Sequence, residues 1–275
     1  MDKFFSPSAV AVIGASPREG SLGGQIITNL RYGYPGKIYP VNPNHKEIQT
    51  LPAYASVAEI PGPVDLAIVI VPAPAVCDAL EACGAKGIRR VIIESAGFAE
   101  TGPEGRALQE RCLAVARKQG IRIWGPNCMG LVDVPRKFFF TFMHPNIYKD
   151  GLISGRISMV VQSGMLSAGF LADLMSERAV GIAKACSIGN KIDIDECDVL
   201  EYLIQDEETD AIALYLESIV RGRRFLMLAS RCAKPIVLLK GGKSSAGAKA
   251  ALSHTSSLAG NARLQDSLLQ LAGVT

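Results

Sequence analysis

The stretch AVAVIGASPREGSLGGQIITNLRY, residues 9–32, decides the fold. It opens on AVAVIG, a continuous apolar run of the kind found in strands that are buried on both faces. A glycine-rich turn follows, and GGQIITNLRY then predicts a helix. This strand–turn–helix unit is typical of the beginning of a parallel sheet that carries helices on both faces.

The same alternation continues after this unit. Further strands are predicted at KIYPV (37–41), VDLAIVIV (64–71), IRRVIIES (88–95) and IRIWG (121–125). The segments 74–87 and 102–120 predict helices that end at glycine. Together these elements predict a doubly wound, Rossmann-like α/β domain over residues 1–145.

A linker with four phenylalanines within five residues interrupts the alternation. The segment VPRKFFFTFMHPNIYKDGLISG, residues 134–155, fits neither a strand nor a helix pattern, and its aromatic residues predict packing. The pattern then restarts at RISMVVQSG (156–164) and continues to a last helix at 257–274. Residues 150–275 are therefore predicted to form a second open α/β domain.

The composition excludes several classes of protein. A net charge of +3 over 275 residues, without basic blocks between aromatic residues, argues against nucleic-acid binding. The seven cysteines form no CxxC pair, which favours a reducing cytoplasm over a disulfide framework or a zinc site. No signal-peptide pattern occurs, and the longest apolar run, LAIVIVPAPAV, is too short to span a membrane.

The first glycine-rich turn predicts a phosphate site, because backbone N–H groups and a helix N-terminus face an anion there. The alternative is a tight turn without a ligand. NAD fits poorly: its fingerprint needs glycine at positions 14, 16 and 19, and only Gly14 complies. Asn42 stands where a ribose-binding carboxylate is expected, whereas Arg18 and Lys46 suit the additional phosphate of coenzyme A.

A set of motifs spread over nearly the whole chain carries a resemblance. They are, in order, VIGAS (12–16), GSLGG (20–24), YPVNP (39–43), IVIVPAPAV (68–76), GPNCMG (125–130), VVQSGMLSAG (160–169), SIGNKIDIDECDVLEYL (187–203), ALYLESI (213–219) and LSHTSSLAG (252–260). The chain resembles the NDP-forming acyl-CoA synthetases, which are relatives of the succinyl-CoA synthetase alpha subunit. The resemblance implies a Rossmann-like CoA-binding domain followed by a flavodoxin-like domain.

The resemblance also implies a set of residues that contact coenzyme A. The phosphates, the adenosine end, the pantetheine and the thiol end are each assigned to one part of the first domain. The residues are Gly14, Ala15, Ser16 and Arg18 for the phosphates, Pro40, Asn42 and Lys46 for the adenosine end, Val71 and Pro72 for the pantetheine, and Asn127 with Cys128 near the thiol. Cys128 is expected to be a packing or pocket-lining residue, because free cysteines are usually small buried hydrophobes.

His254 is the candidate nucleophile. It follows a Gly/Ser/Ala-rich run after the last predicted strand, at the sheet edge where open α/β proteins bind ligands. An imidazole nitrogen is nucleophilic near neutral pH, and the resemblance implies that His254 carries a phosphoryl group. Ser256 replaces a glycine that the family usually has in this loop, which leaves the motion of the loop open. His45 is expected to be solvated, and His144 is expected to be structural.

Other residues are expected to support the phosphohistidine. Gln162, Ser163 and Gly164 form a second strand-to-helix turn that could hold a phosphate. The resemblance assigns Glu217 to the other ring nitrogen of His254; the alternative is an ordinary glutamate at a strand end. Asn190 and Asp193 are expected to order the same pocket, and no metal site is predicted in this chain.

The ATP-binding element of such an enzyme is not recognised in this sequence, because GxxxxGK[ST] has no match. The expected partner is an ATP-grasp domain or a beta subunit, which would bind Mg²⁺ with ATP or ADP. The implied reaction converts acyl-CoA, ADP and phosphate to a small carboxylic acid, CoA and ATP, and an oligomer is expected. The alternatives are a non-catalytic CoA-sensing module and a nicotinamide-dependent oxidoreductase.

Overall fold

The computed structural model describes residues 1–144, 146, 152–177, 180–241 and 262–275. The N-terminal part contains, in chain order, α1 (Asp2–Phe5), β1 (Ala9–Ile13), α2 (Leu22–Gly33), β2 (Lys37–Val41), β3 (Glu47–Ile48), β4 (Leu51–Pro52), β5 (Leu66–Val69), α3 (Val76–Lys86), β6 (Arg90–Ile93), α4 (Pro103–Gln119) and β7 (Arg122–Trp124). Five of these strands form a parallel sheet in the order β2-β1-β5-β6-β7, and β3 pairs with β4.

The rest of the chain forms a second sheet. Its elements are β8 (Leu131–Asp133), β9 (Phe138–Phe140), β10 (Ser154–Val161), α5 (Gly164–Glu177), β11 (Ile182–Ser187), α6 (Glu196–Gln205), β12 (Ala211–Leu216), α7 (Gly222–Arg231), β13 (Ile236–Lys240) and α8 (Ala262–Leu271). The strand order is β13-β12-β10-β11-β8-β9. The strands β10 to β13 pair in parallel, so the predicted α/β class with two parallel sheets is confirmed.

Local sequence explains where the helices begin and end. Ser21 accepts a hydrogen bond from the N–H of Gly24 and so caps α2. The helices α3 and α4 end at Gly87 and Gly120, which adopt the left-handed conformation that glycine allows. Asp195 caps α6 in a capping box with Asp198. The two predicted helix ends at glycine are therefore present, and the structure adds the caps at Ser21 and Asp195.

The aromatic part of the predicted linker is a strand. The triplet Phe138–Phe140 forms β9, which pairs with β8, and β8 pairs antiparallel with β11. The ring of Phe140 lies edge-on to Tyr34, and the side-chain amide of Asn29 donates to the carbonyl oxygens of Thr141 and Met143. The packing role is confirmed, but the segment also extends the second sheet, which makes it mixed at one edge.

One hydrophobic cluster contains residues of both sheets, and each sheet has a further cluster of its own. Phe4 and Phe5 pack against Trp124, and Phe5 stacks on Tyr202 with ring centroids 4.0 Å apart. The indole N–H of Trp124 donates to the carbonyl oxygen of Ser187 at 2.7 Å. The hairpin β8–β9 belongs to the second sheet although it precedes residue 145. The ranges 1–145 and 150–275 thus remain a prediction about domains and do not describe the sheets.

Among the described helices, none combines the length and apolar character required to cross a bilayer.

Candidate functional site

Each sheet has a topological switch point at the carboxyl ends of two neighbouring strands whose connections leave in opposite directions, and we call these two places the first and the second crevice. In the first sheet these strands are β1 and β5, and in the second they are β10 and β12. Ligands of open α/β sheets bind at such switch points. The turns that follow these strands begin at Gly14, Ile70, Gln162 and Glu217. The turns at the two switch points therefore carry the predicted residues Gly14, Ala15, Ser16, Val71, Pro72, Gln162, Ser163 and Glu217.

The turn after β1 requires glycine at its first position. Gly14 has φ +94°, and a Cβ there would overlap the carbonyl oxygen of Ile70 at the end of β5. A Cβ on Gly23 in α2 would overlap the carbonyl oxygen of Gly14. Turn, strand and helix thus approach one another backbone to backbone, and the N-terminus of α2 lies against the turn, where it favours an anion.

Asn42 has a structural role that the sequence analysis missed. Its side-chain amide donates to the carbonyl oxygen of Ala15 at 2.7 Å, and its Oδ1 accepts from the N–H of Asn44 at 2.8 Å. Asn42 therefore fastens the end of β2 to the predicted phosphate turn. The carbonyl oxygen of Pro40 accepts from the N–H of Tyr54, so Pro40 lies on an edge strand that is paired on its outer side.

The remaining predicted CoA residues surround the first crevice. Arg18, Lys46 and Pro72 are exposed, and the Oγ of Ser16 accepts from the N–H of Arg18 at 3.2 Å. The half-buried Val71 donates its N–H to the Oγ of Ser95. All of them lie on segments that follow β1, β2 or β5, which is compatible with one extended ligand across the edge of the sheet.

The turn after β7 places Asn127 beside the same edge. Its N–H donates to the carbonyl oxygen of Ser95 at 2.9 Å, and its side chain contacts Asn190 at 3.4 Å. Cys128 is buried, and burial raises the pKa of its thiol. A thiol that resists ionisation is a poor nucleophile, which agrees with the packing role expected for Cys128.

Glu94 is a buried carboxyl group that the sequence analysis did not identify. It follows β6, is 4% exposed, and neither oxygen has a hydrogen-bond partner among the described residues. A Cβ on Gly130 would lie 2.5 Å from its Oε1, so the group is wedged against the backbone of the second sheet. Burial raises the pKa of Glu94 well above its ordinary value of 4.5, and the neutral acid is favoured. The only sequence signal is a glutamate directly after a buried strand.

The substitution Glu94→Gln should stabilise the protein increasingly as the pH rises. Below about pH 4 both folded and unfolded chains hold the proton, and the variant should match the wild type. Above that pH the unfolded carboxyl group ionises while the folded one does not, so the wild type loses up to about 1.4 kcal/mol per pH unit. Thermal unfolding between pH 4 and 8 measures this. The exposed Glu110→Gln is the control, and equal curves for wild type and Glu94→Gln would contradict the prediction.

The second crevice is built around Gln162. Its side-chain oxygen accepts the N–H groups of Glu217 at 2.9 Å and Ser218 at 3.2 Å, which joins the ends of β10 and β12. The Oγ of Ser163 accepts from the N–H of Leu166 at the start of α5. Gly164 follows, and a Cβ there would lie 3.0 Å from the Cγ of Met129. A helix N-terminus with a capping serine can hold a phosphate.

Glu217 is buried beside Gly241, the last described residue before position 262. Lys240 donates its Nζ to the carbonyl oxygen of Glu217, and a Cβ on Gly241 would lie 3.4 Å from the Cγ of Glu217. His254 and Ser256 lie outside the described residues. The structure therefore places Glu217 next to the strand from which the chain continues toward His254, and the contact between them remains a prediction.

Asp193 was expected to order the second crevice, but its side chain binds elsewhere. Its carboxylate accepts from the Nε of Arg122 and from the N–H of Ile123, both at 2.8 Å, so it binds the end of the first sheet. Asn190 donates its amide to Glu100 at 2.7 Å. Both side chains therefore connect the loop after β11 to the part of the chain that forms the first sheet.

Two protein-family models match the chain, one over the first sheet and one over most of the second. A CoA binding domain model matches residues 8–133, and a model of the succinyl-CoA ligase-like flavodoxin domain matches residues 154–275. The chain is 42% identical over its whole length to the acetate–CoA ligase [ADP-forming] II subunit alpha of Pyrococcus furiosus, of which it covers 59%. It is 43% identical to acetate–CoA ligase [ADP-forming] I of Archaeoglobus fulgidus, of which it covers 39%.

A solved structure has the same architecture. The dinucleotide-forming acetyl-coenzyme A synthetase 1 of Ca. Korarchaeum cryptofilum, in complex with phosphate and ADP, superposes with a TM-score of 0.92 at 36% identity. The alignment covers 99% of this chain and 58% of that protein. The chain thus spans between 39% and 59% of the length of these three proteins, and both of its sheets lie within the matched part.

Proposed function

The chain belongs to the ADP-forming acyl-CoA synthetase family, of which it carries the CoA-binding and the succinyl-CoA ligase-like domains, and from this we propose that it is the alpha-type portion of such an enzyme. The proposed reaction is acyl-CoA + ADP + phosphate ⇌ acid + CoA + ATP. The nucleotide would be bound, with Mg²⁺, by an ATP-grasp domain or beta subunit, and the overall reaction would require that part. The free thiols of all seven cysteines are compatible with a reducing, cytoplasmic setting.

The observation that carries the proposal is that closely packed backbone joins the two crevices. The turn at Asn127, which ends the first crevice, packs against the loop after β11: a Cβ on Gly189 would overlap the carbonyl oxygens of Pro126 and Asn127. The second crevice, with Gln162 and Glu217, lies at the carboxyl ends of β10 and β12, in the sheet to which β11 also belongs. A thioester held in the first crevice could therefore present its acyl carbon to a phosphate held in the second.

The proposed chemistry has three balanced steps. Phosphate attacks the thioester carbonyl, the C–S bond breaks, and CoA leaves with a proton as the acyl phosphate forms. An imidazole nitrogen of His254 then attacks phosphorus, and the carboxylic acid departs as the P–O bond breaks. Finally ADP takes the phosphoryl group from His254 and becomes ATP. Catalysis of such transfers consists mainly of positioning and charge stabilisation.

The residues of this chain have distinct roles in these steps. The amides at the start of α5, capped by Ser163, would hold the phosphate through the first two steps. Glu217 would hold the other ring nitrogen of His254 and stabilise the imidazolium that develops when the first nitrogen is phosphorylated. The Gly14 turn would hold the phosphates of CoA, with Arg18 and Lys46 at its solvent side.

A direct experiment separates this proposal from its alternatives. The full protein, with its nucleotide-binding part, is incubated with ATP labelled at the γ-phosphate, and titrated by calorimetry with CoA, NAD and NADP. We expect CoA binding and an acid-labile label on His254. CoA binding without any label would favour the CoA-sensing module, and binding of NAD without CoA would favour the oxidoreductase.

The substitution Glu217→Gln should lower kcat by about 10²-fold, because a neutral amide cannot stabilise the imidazolium electrostatically. The KM for CoA should stay unchanged, since Glu217 lies at the second crevice. Steady-state kinetics in the CoA-consuming direction provide both values. Glu208→Gln, a change on the opposite edge of the same sheet, is the matched control. Equal activity of the two variants would assign Glu217 to the alternative, an ordinary strand-end glutamate.

A further inference from the structure

Two buried charges beside the second crevice have no part in the steps above. Lys191 lies in the loop between β11 and α6, and Glu196 is the first residue of α6. Their side chains are 2% and 0% exposed, and Nζ and Oε2 are 2.8 Å apart. The residues of this loop that were predicted to have a role are Asn190 and Asp193.

Both charges bind the backbone that follows β12. The Nζ of Lys191 also donates to the carbonyl oxygen of Ser218 at 2.7 Å. The N–H of Val220 donates to the Oε1 of Glu196 at 2.6 Å. From the other side, Gln162 accepts the N–H groups of Glu217 and Ser218. The segment 217–220 is therefore held by three side chains that come from three different elements.

Stability alone is a weak reason for this pair. Desolvation of two charges offsets most of their attraction, and an apolar pair of similar volume often stabilises a protein as well. What the ion pair adds is position, because charge-assisted hydrogen bonds are short and directional. A group that orients a reacting imidazole must be held within about 0.5 Å of its working place.

We propose that Lys191 and Glu196 form a clamp that positions Glu217 for the phosphohistidine steps. This inference rests on the proposed function and adds two positioning residues to it. The clamp acts through the backbone of residues 217–220 and touches neither CoA nor the phosphoryl group. Its removal should therefore slow phosphoryl transfer and leave CoA binding intact.

The loop that carries Lys191 also reaches the first crevice. The N–H of Asn190 donates to the carbonyl oxygen of Pro126 at 2.9 Å, whereas the side chain of Lys191 turns to Ser218. The contacts with the first crevice are thus made by Asn190 and not by the side chain of Lys191. A change of the Lys191 side chain leaves that hydrogen bond in place, which is why the clamp should be separable from CoA binding.

The test removes both charges at once in the full protein with its nucleotide-binding part. The double variant Lys191→Met with Glu196→Gln retains most of the volume and an acceptor for the N–H of Val220. The matched control is Lys184→Met with Asp206→Asn, which removes another buried ion pair of the same sheet. That pair lies at the amino edge, since Lys184 is near the start of β11 and Asp206 precedes β12.

We expect kcat and the single-turnover rate of His254 labelling to fall by about 10- to 100-fold in the clamp variant, with the KM for CoA unchanged. The amides of Glu217, Ser218 and Val220 should exchange hydrogen faster, as measured by mass spectrometry. The control should lower only the melting temperature. If the double variant does not fold, Glu196→Gln alone, which keeps the acceptor for Val220, should show the same effects at smaller size.

Two outcomes would overturn the clamp: a folded variant that labels His254 at the wild-type rate, or unchanged exchange of these three amides. Absence of any label on His254 in the wild type would instead overturn the proposed function. In that case amide exchange still decides whether the pair holds residues 217–220, so the two failures can be told apart.

Discussion

Replacing His254 by asparagine should abolish the acid-labile label and lower the overall rate by at least about 10³-fold, because no other group in the proposed scheme takes the phosphoryl from the acyl phosphate. Asparagine is similar in size and polarity but is not nucleophilic. Binding of CoA should remain at the wild-type affinity, since the first crevice is built from β1, β2 and β5. The measurements are overall turnover, label on the protein, and calorimetry with CoA.

A matched histidine makes this result specific. His144 is exposed and accepts a hydrogen bond from the N–H of Asn146, and His144→Asn should behave as the wild type. Retention of the label in His254→Asn would move the phosphorylation to another residue. Loss of CoA affinity in the same variant would contradict the separation of the two crevices.

The substitution Gly14→Ala should remove CoA binding and destabilise the fold. Alanine is strained at φ +94°, and its Cβ would overlap the carbonyl oxygen of Ile70, a backbone atom that can move only with β5. We expect a loss of about 3 kcal/mol or more of stability and at least about 10²-fold in CoA affinity, because turn and strand must separate. Urea unfolding and calorimetry test both values.

Gly20→Ala isolates the contribution of the backbone conformation. Gly20 also has a positive φ, +72°, but a Cβ there has no atom within 4 Å among the described residues. The variant should lose only about 1 kcal/mol, the cost of a left-handed alanine. If the two variants lose the same stability, the close approach of Gly14 to β5 is not what requires glycine.

The fold and the two crevices could be predicted because their signals are local. Apolar runs, a capping serine and terminal glycines specify where each strand or helix begins and ends, and consecutive strand–helix units leave few ways to pair the strands. The residues predicted for CoA and phosphate follow the strands closely, so their places at the carboxyl edges of the sheets could be predicted as well. The family resemblance supplied His254, which no described residue tests.

The errors and omissions have a common origin. Asp193 was expected at the second crevice, but it binds Arg122 in the first sheet. Asn42 was considered only as a missing carboxylate, whereas it fastens β2 to the turn. In each case the partner lies far away in the sequence, and composition and periodicity carry no information about it.

The sequence by itself determined the strand–helix alternation, the two α/β units and the turns that could hold anions, because these depend on hydrogen bonds and side-chain periodicity within a few residues. Only the tertiary structure decided that the aromatic linker becomes the edge strand β9, that Glu94 is buried as a neutral acid, and that Lys191 and Glu196 hold the segment after β12. Those features arise where residues of the two sheets pack against one another. Burial and pairing of polar groups there depend on neighbours that only folding brings together.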